Sequence, residues 1–282
     1  DGGTDDFGTS VAMEDPVAVV GARLHDFPFT DAGRAHIYRK VDDVWALEQE
    51  LIAFDASPAA AFGSAVAISP TVVVVGAPGD DAAGVDAGSV YIFRYDGVTW
   101  EPEVKITAAD ASAGARFGAA VAIDQQTVVV GAPQAGGTGH AYVYRYDGLT
   151  WIEEGTWIAS DAAAGDEFGF EVSVSAGRSV IGAPGHDSAG LQAGKAYLFL
   201  ETAGVWSEET MLTAPDASPF DRFGTGVSIN GNDVMIGSPG DDRRVRRGVH
   251  PANGVAVGVV GVHLDVVEPQ PGVLDPERPA GH

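Results

Sequence analysis

Phe62-Gly63-Ser64-Ala65-Val66-Ala67-Ile68-Ser69-Pro70-Thr71-Val72-Val73-Val74-Val75-Gly76-Ala77-Pro78 is the stretch whose reading decides the fold. Its two ends recur together. Phe-Gly stands at Phe7-Gly8, Phe62-Gly63, Phe117-Gly118, Phe168-Gly169 and Phe223-Gly224. Fourteen residues after each Phe comes a second signature: Gly21-Ala22-Arg23, Gly76-Ala77-Pro78, Gly131-Ala132-Pro133, Gly182-Ala183-Pro184 and Gly237-Ser238-Pro239. Self-similarity at a fixed period identifies a repeat architecture and takes precedence over any local motif.

The register continues beyond the quoted stretch. A further glycine opens an aromatic run at Gly33, Gly88, Gly139 and Gly194, and twelve residues later a tryptophan follows at Trp45, Trp100, Trp151 and Trp206. The period is 55 residues except in the third repeat, which is 51 because Gly131 to Gly139 spans 8 residues instead of 12. A deletion confined to one segment marks a surface loop, since connections tolerate length change and strands do not.

Within one repeat, Phe62 to Ile68 reads as a first strand, small on one side so that backbones can approach. Ser69-Pro70 makes a turn. Thr71 to Val75 is β-branched without polar alternation, the pattern of a strand buried on both faces, and Gly76-Ala77-Pro78 ends it. Ser89 to Tyr95 forms a third strand, Asp96-Gly97 a hairpin turn, and Trp100 to Thr107 an alternating outer strand. Four antiparallel strands per repeat with no helical periodicity describe an all-β chain, a β-propeller of four-stranded blades. A sandwich needs no fixed register, and a parallel β-helix has a shorter period.

These residues resemble the FG-GAP repeat family, the propeller type of the integrin α-subunit head and of many bacterial surface or secreted proteins. The resemblance covers residues 1–242. It implies a radial propeller of about seven blades, within a general range of about 4–8, so the five repeats here read as an incomplete or open propeller. It also implies binding or adhesion more than catalysis, at the cell surface or outside the cell. Calcium-carrying blades of the family hold an Asp-x-Asp-x-Asp-Gly loop between the first two strands. Here that connection is a short hairpin in every repeat, with too few oxygens for a calcium cage. The repeat template stops after Asp242. Residues 243–282, with four arginines between Arg243 and Arg247 and a Pro-rich end, are expected to be a degenerate final blade with a disordered tail or the product of a reading-frame change.

Composition narrows the partners. Forty acidic against 16 basic residues give a net charge of −24, which argues against nucleic acid. There are no cysteines, so disulfide and thiol chemistry are excluded and bacterial export is compatible. No apolar run reaches the roughly 18 residues of a membrane span. No export signal is visible, and the N-terminus reads as processed or cut.

No catalytic residue is expected. The chain has no His-Glu-x-x-His or Gly-x-Ser-x-Gly motif. Gly190 to Lys195 imitates a phosphate loop but lacks the spacing and the following Ser/Thr, and reads as an ordinary blade turn. The first strands Ser-Ala-Val-Ala-Ile and Ala-Ala-Val-Ala-Ile offer no carboxylate to a central channel. Trp157 breaks the repeat register and is the candidate surface contact. His36 and His140 read as packing residues. Asp55, Asp110, Asp161 and Asp216 each stand seven residues before a Phe, where Asp most often makes an Asx-turn; cation or ligand binding is the other reading.

Topology supplies the ligand face. In a meander, connections from strand two to three and from blade to blade emerge on one face. In this chain they are long and acidic, carrying among others Asp26, Asp31, Asp166 and Asp221. The ligand-face candidates are Asp80, Asp81, Asp86, Asp110, Asp161, Asp187 and Asp216, with Asp80, Asp81 and Asp86 as weak calcium candidates; no cofactor is certain. The expected function is a non-enzymatic, exported binding or adhesion module for a protein or carbohydrate ligand, open blade edges inviting self-association. The alternatives are a carbohydrate-binding or carbohydrate-active propeller, or a spacer attached to a catalytic domain.

Overall fold

Each repeat folds as an antiparallel meander. The computed structural model describes residues 5–187 and 189–241 and the strand at 258–263. The first blade is β1 (Phe7–Glu14), β2 (Val17–Ala22), β3 (Arg34–Val41) and β4 (Val44–Leu51); the second is β5 (Ala65–Ser69), β6 (Val72–Ala77), β7 (Ser89–Tyr95) and β8 (Trp100–Ile106). The third is β9 (Ala120–Asp124), β10 (Thr127–Ala132), β11 (His140–Tyr146) and β12 (Trp151–Trp157); the fourth is β13 (Val172–Ser175), β14 (Arg178–Ala183), β15 (Lys195–Thr202) and β16 (Val205–Leu212). The fifth comprises β17 (Gly226–Asn230), β18 (Asp233–Ser238) and β19 (Gly258–His263). All five sheets keep sequential strand order. The first strands of successive blades pack on one another, β1 on β5 through to β13 on β17, and so line the inside of an arc.

The β-branched second strand explains why blades stack. Its side chains alternate between two neighbours. Val73 and Val75 pack toward the first blade with Val17, Val19, Ile37 and Phe62. Val72 and Val74 pack toward the third with Phe117, Val128, Val130 and Tyr142. Two further layers repeat the scheme around Phe168 and Phe223. Burial on both faces of the second strand is therefore as the sequence indicates.

Phe-Gly itself lies outside the first strand in blades two to five, contrary to the reading of Phe62 to Ile68 as one strand. Gly63 and Gly118 take φ of 90° and 87°, which breaks the extended run. The Phe62 amide instead donates to the Ala32 carbonyl of the preceding blade at 3.0 Å, and Gly33 forms a parallel bridge with Phe62. Each seam is thus closed by a Phe ring in the apolar layer and a glycine against foreign backbone. A Cβ on Gly76 would overlap the Gly118 carbonyl, and one on Gly118 would meet the Ser89 carbonyl oxygen at 2.5 Å.

One irregularity recurs on the outer pair of strands. Blades one to four each carry a bulge there, with Glu48, Glu103, Glu154 or Glu209 as the extra residue. Arg39 pairs with Glu48, Arg94 with Glu103, Arg145 with Glu154 and Arg178 with Glu209. Three of these arginines also cross the seam. Arg39 lies over Tyr95 at 4.9 Å, Arg94 over Tyr146 at 4.3 Å, and Arg145 pairs with Glu201 at 2.8 Å.

The arc is open. Phe62, Phe117, Phe168 and Phe223 are fully buried, whereas Phe7 is 57% exposed; Trp45 is exposed where Trp100 is 1% exposed. Met235, at the position of buried Val74, is 55% exposed at the other end. Trp157 is not a surface contact. It is buried in the third layer, stacked on Phe199 at 4.5 Å with Trp206 beside it. The shortened connection of the third repeat is a loop with a single 3-10 turn, Ala135–Gly137. In the tail, β19 pairs with β18 in third-strand register; the expectations for residues 243–257 and 264–282 lie outside the described residues.

Replacing Gly118 with Val combines a strained positive φ with a clash against neighbouring backbone, and is expected to destabilise by at least about 1–3 kcal/mol. Thermal and denaturant melting check this; a variant that melts like the parent would show that the seam is not set by this approach.

Candidate functional site

The connections from β2 to β3, β6 to β7 and β14 to β15 are built alike. Asp26 Oδ1 accepts the amide of Asp31 at 3.1 Å, Asp81 Oδ1 that of Asp86 at 2.8 Å, and Asp187 Oδ1 that of Gln192 at 2.8 Å. Each capped residue has a φ near 50°. One carboxylate oxygen therefore closes the loop, as Asp does in turns, and the other faces solvent. Asp26, Asp81, Asp86 and Asp187 are exposed, and among the described residues none has a cation beside it. The third blade, lacking four residues, has no such loop. All five connections between first and second strands are two-residue turns on the opposite face.

Asp80, Asp166 and Asp221 do not stand on the rim. Asp80 is 2% exposed. Its oxygens accept from the Ser89 hydroxyl at 2.8 Å, the Ala82 amide at 3.0 Å, Lys105 Nζ at 3.0 Å and the Tyr91 hydroxyl at 3.2 Å. Asp166 Oδ2 accepts the Ala163 amide and Asp221 Oδ2 the Ser218 amide, both at 2.7 Å, and both residues are buried. Asp80 therefore cannot join Asp81 and Asp86 as an outward calcium ligand. Among the described residues no group of three or more carboxylates or histidines is arranged to hold an ion.

Asp55, Asp110 and Asp161 do something other than an Asx-turn. Each lies between blades and accepts the hydroxyl of a third-strand tyrosine in the next blade: Tyr91, Tyr142 and Tyr197, all at 2.7 Å. A basic side chain completes each lock. Lys105 reaches Asp55 at 2.7 Å, His140 Nδ1 reaches Asp110 at 3.3 Å, and Lys195 reaches Asp161 at 2.6 Å. His186 adds a contact to Asp161 at 3.3 Å. The imitation phosphate-loop lysine, Lys195, is thus a seam residue. Desolvation, then the hydrogen bond to the carboxylate, raises each of these tyrosines well above the ordinary phenol range. Asp161 is held at about 2: burial works to raise it, and the hydrogen bonds from Lys195 and Tyr197 outweigh that. In the fifth blade, Asp216 is exposed on the equivalent linker.

A carboxyl that sequence reading missed lies on the inside of the arc. The fourth repeat reads Phe170-Glu171-Val172-Ser173 where the second and third have Ser-Ala-Val-Ala and Ala-Ala-Val-Ala. Glu171 is half-buried, and desolvation pushes it up to about 7. The signal was the departure of one repeat from the other two.

Two consequences of the seam locks are measurable. Lys105→Met leaves Asp80 buried without its counter-charge, and a loss of about 3 kcal/mol is expected; unchanged urea unfolding would disprove the pairing. Asp161 has a folded pKa of about 2 against an ordinary 3.8, so its stabilisation is present above about pH 4 and disappears as pH falls toward 2. Asp161→Asn should therefore melt lower than the parent at neutral pH and converge with it near pH 2. Parallel melting curves at both ends would contradict the lock.

Comparison with known proteins agrees with this architecture. The family model of the FG-GAP repeat matches residues 1–38, 45–93, 100–144, 151–199 and 206–250. No curated protein matched the chain. No helix among the described residues is long and apolar enough to cross a membrane. With five consecutive matches and five antiparallel blades in an open arc, the chain belongs to the FG-GAP repeat family.

Proposed function

We propose that the chain is an exported, non-catalytic propeller module that binds a basic protein partner through its acidic loop face. The observation that carries this reading is the set of exposed aspartates, Asp26, Asp81, Asp86 and Asp187, that lack a cation neighbour among the described residues. Elsewhere on the same face carboxylates are consumed by the fold: Asp55, Asp110 and Asp161 by the seam locks, and Asp80 by Lys105. Loops that keep charge beyond what the fold uses raise the local concentration of cationic groups and steer encounter. Binding by such modules is the ordinary role of FG-GAP propellers, and a surface or extracellular setting follows from it.

Asparagine at positions 26, 81, 86 and 187 preserves a carbonyl oxygen for the loop caps while removing four charges. The quadruple variant should bind an Arg/Lys-rich peptide about tenfold more weakly than the parent at low salt. Ala at Gln125 and Gln126, on the opposite hairpins, should leave binding unchanged. Calorimetry indifferent to both sets would remove the rim from the interaction.

The bare faces of the end blades support self-association as well. Phe7, Val11, Met13 and Trp45 are exposed on the first blade and Met235 on the fifth; large exposed apolar areas mark association sites. Sedimentation of the isolated chain should reveal concentration-dependent assembly that Phe7→Asp with Met13→Lys abolishes; a compact monomer at all concentrations would refute this.

A further inference from the structure

We infer that the cavity on the inside of the arc is a binding site for a small hydroxylated carboxylate of the sugar-acid class, with Arg116 holding the carboxylate. The cavity measures about 340 Å³, the size of a small-molecule site. It opens where the residues after each Phe-Gly, Thr9, Ser64, Ala119 and Phe170, converge from four blades.

Three kinds of group line it, and each constrains the ligand. The first is charge. Arg23 and Glu167 also line the cavity but are already paired, with Asp6 at 2.9 Å and with Arg222 at 3.1 Å. Among the described residues, the side chains of Arg116, Gln134 and Glu171 have no hydrogen-bond or ion-pair partner. Arg116 is exposed in the lining of the cavity, and a permanently charged planar fork without a protein partner matches a carboxylate through two parallel hydrogen bonds.

The second is hydroxyl direction. Thr9 donates its hydroxyl to the Asp6 carbonyl at 2.6 Å, and Ser64 donates to the Ala61 carbonyl at 2.7 Å. Both therefore have only acceptor lone pairs to offer, and a ligand satisfies them by donating hydroxyl protons. The third is apolar surface. Phe170, Pro78 and Pro133 give the cavity ring faces suited to the C–H side of a sugar ring.

Glu171 fits the same ligand in its neutral form, from which it donates a hydrogen bond. Desolvation places its titration at about 7. The other charged groups lining the cavity are Arg23, Arg116 and Glu167. Binding of an anion should accordingly weaken as pH rises and Glu171, in the lining of the same cavity, acquires a negative charge. The cavity and the acidic rim are separate sites, and loss of one leaves the other intact.

The test titrates the whole chain with D-galacturonate, D-galactose and acetate, followed by calorimetry or NMR shifts. Galacturonate should bind saturably. Galactose, without the carboxylate, and acetate, without the hydroxyls, should each bind about tenfold more weakly or worse. Arg116→Asn, which suits the positive φ of 61° there, should abolish galacturonate binding with unchanged melting. Glu171→Gln should keep the affinity found at about pH 6 and remove its decline toward about pH 8. The inference is overturned if galacturonate does not bind, if acetate binds as tightly, if Arg116→Asn is without effect, or if Glu171→Gln retains the pH dependence.

Discussion

One sheet can bring a backbone carbonyl of its neighbour onto its own face only where a residue lacks a Cβ, and every blade seam among the described residues depends on that approach. Gly76 meets the Gly118 carbonyl, Gly131 that of Gly169 and Gly182 that of Gly224. The contact leaves no room for error at the inner edge, and the Phe ring beside it fills the apolar layer immediately outward. Glycine costs conformational entropy in a strand, and burying an aromatic ring in the adjoining layer offsets that cost. Position in the register, rather than local propensity, is what the Phe-Gly pair encodes.

Polar groups then lock the seams at the two faces of the arc, and the locks tolerate exchange of parts. In the second blade the ammonium comes from the fourth strand, Lys105, with Ser89 on the third. In the fourth blade it comes from the third strand, Lys195, with Met211 at the fourth-strand position. Either route brings a cation to the linker aspartate. What is kept is a nitrogen-bearing side chain at a point in space, and the third blade meets the same need with His140. The bulge glutamates do likewise at the opposite face, where Arg178 from a second strand replaces the third-strand arginine of the other blades.

Periodicity made the architecture legible, because glycine spacing and β-branched runs report directly on which backbone must be approached and which strand is buried twice. Boundaries within the first strand were not legible, since Phe62 pairs with the preceding blade and only the φ of Gly63 reveals it. Of the candidate site, the exposed loop aspartates followed from topology. The inward turn of Asp80 did not, because its partner Lys105 is 25 residues away on another strand. Trp157 falls outside the tryptophan spacing, yet it holds the fourth-strand position of Leu51, Ile106 and Leu212, and its ring enters the seam as Leu51 does. Glu171 was hidden by generalising from two repeats to all.

The matched family segments that begin at Trp45, Trp100 and Trp151 run on into the third strand of the following blade. Each therefore contains one outer strand, a linker aspartate, the Phe-Gly pair and the tyrosine that bonds the aspartate. The recurring genetic unit coincides with a joint between sheets and not with a sheet. A recombination event that exchanges one such segment carries both halves of a joint together, while the cut it makes falls in an outer hairpin, where the strands meet solvent. Lineages can add or lose members of the array this way without having to re-match two unrelated surfaces.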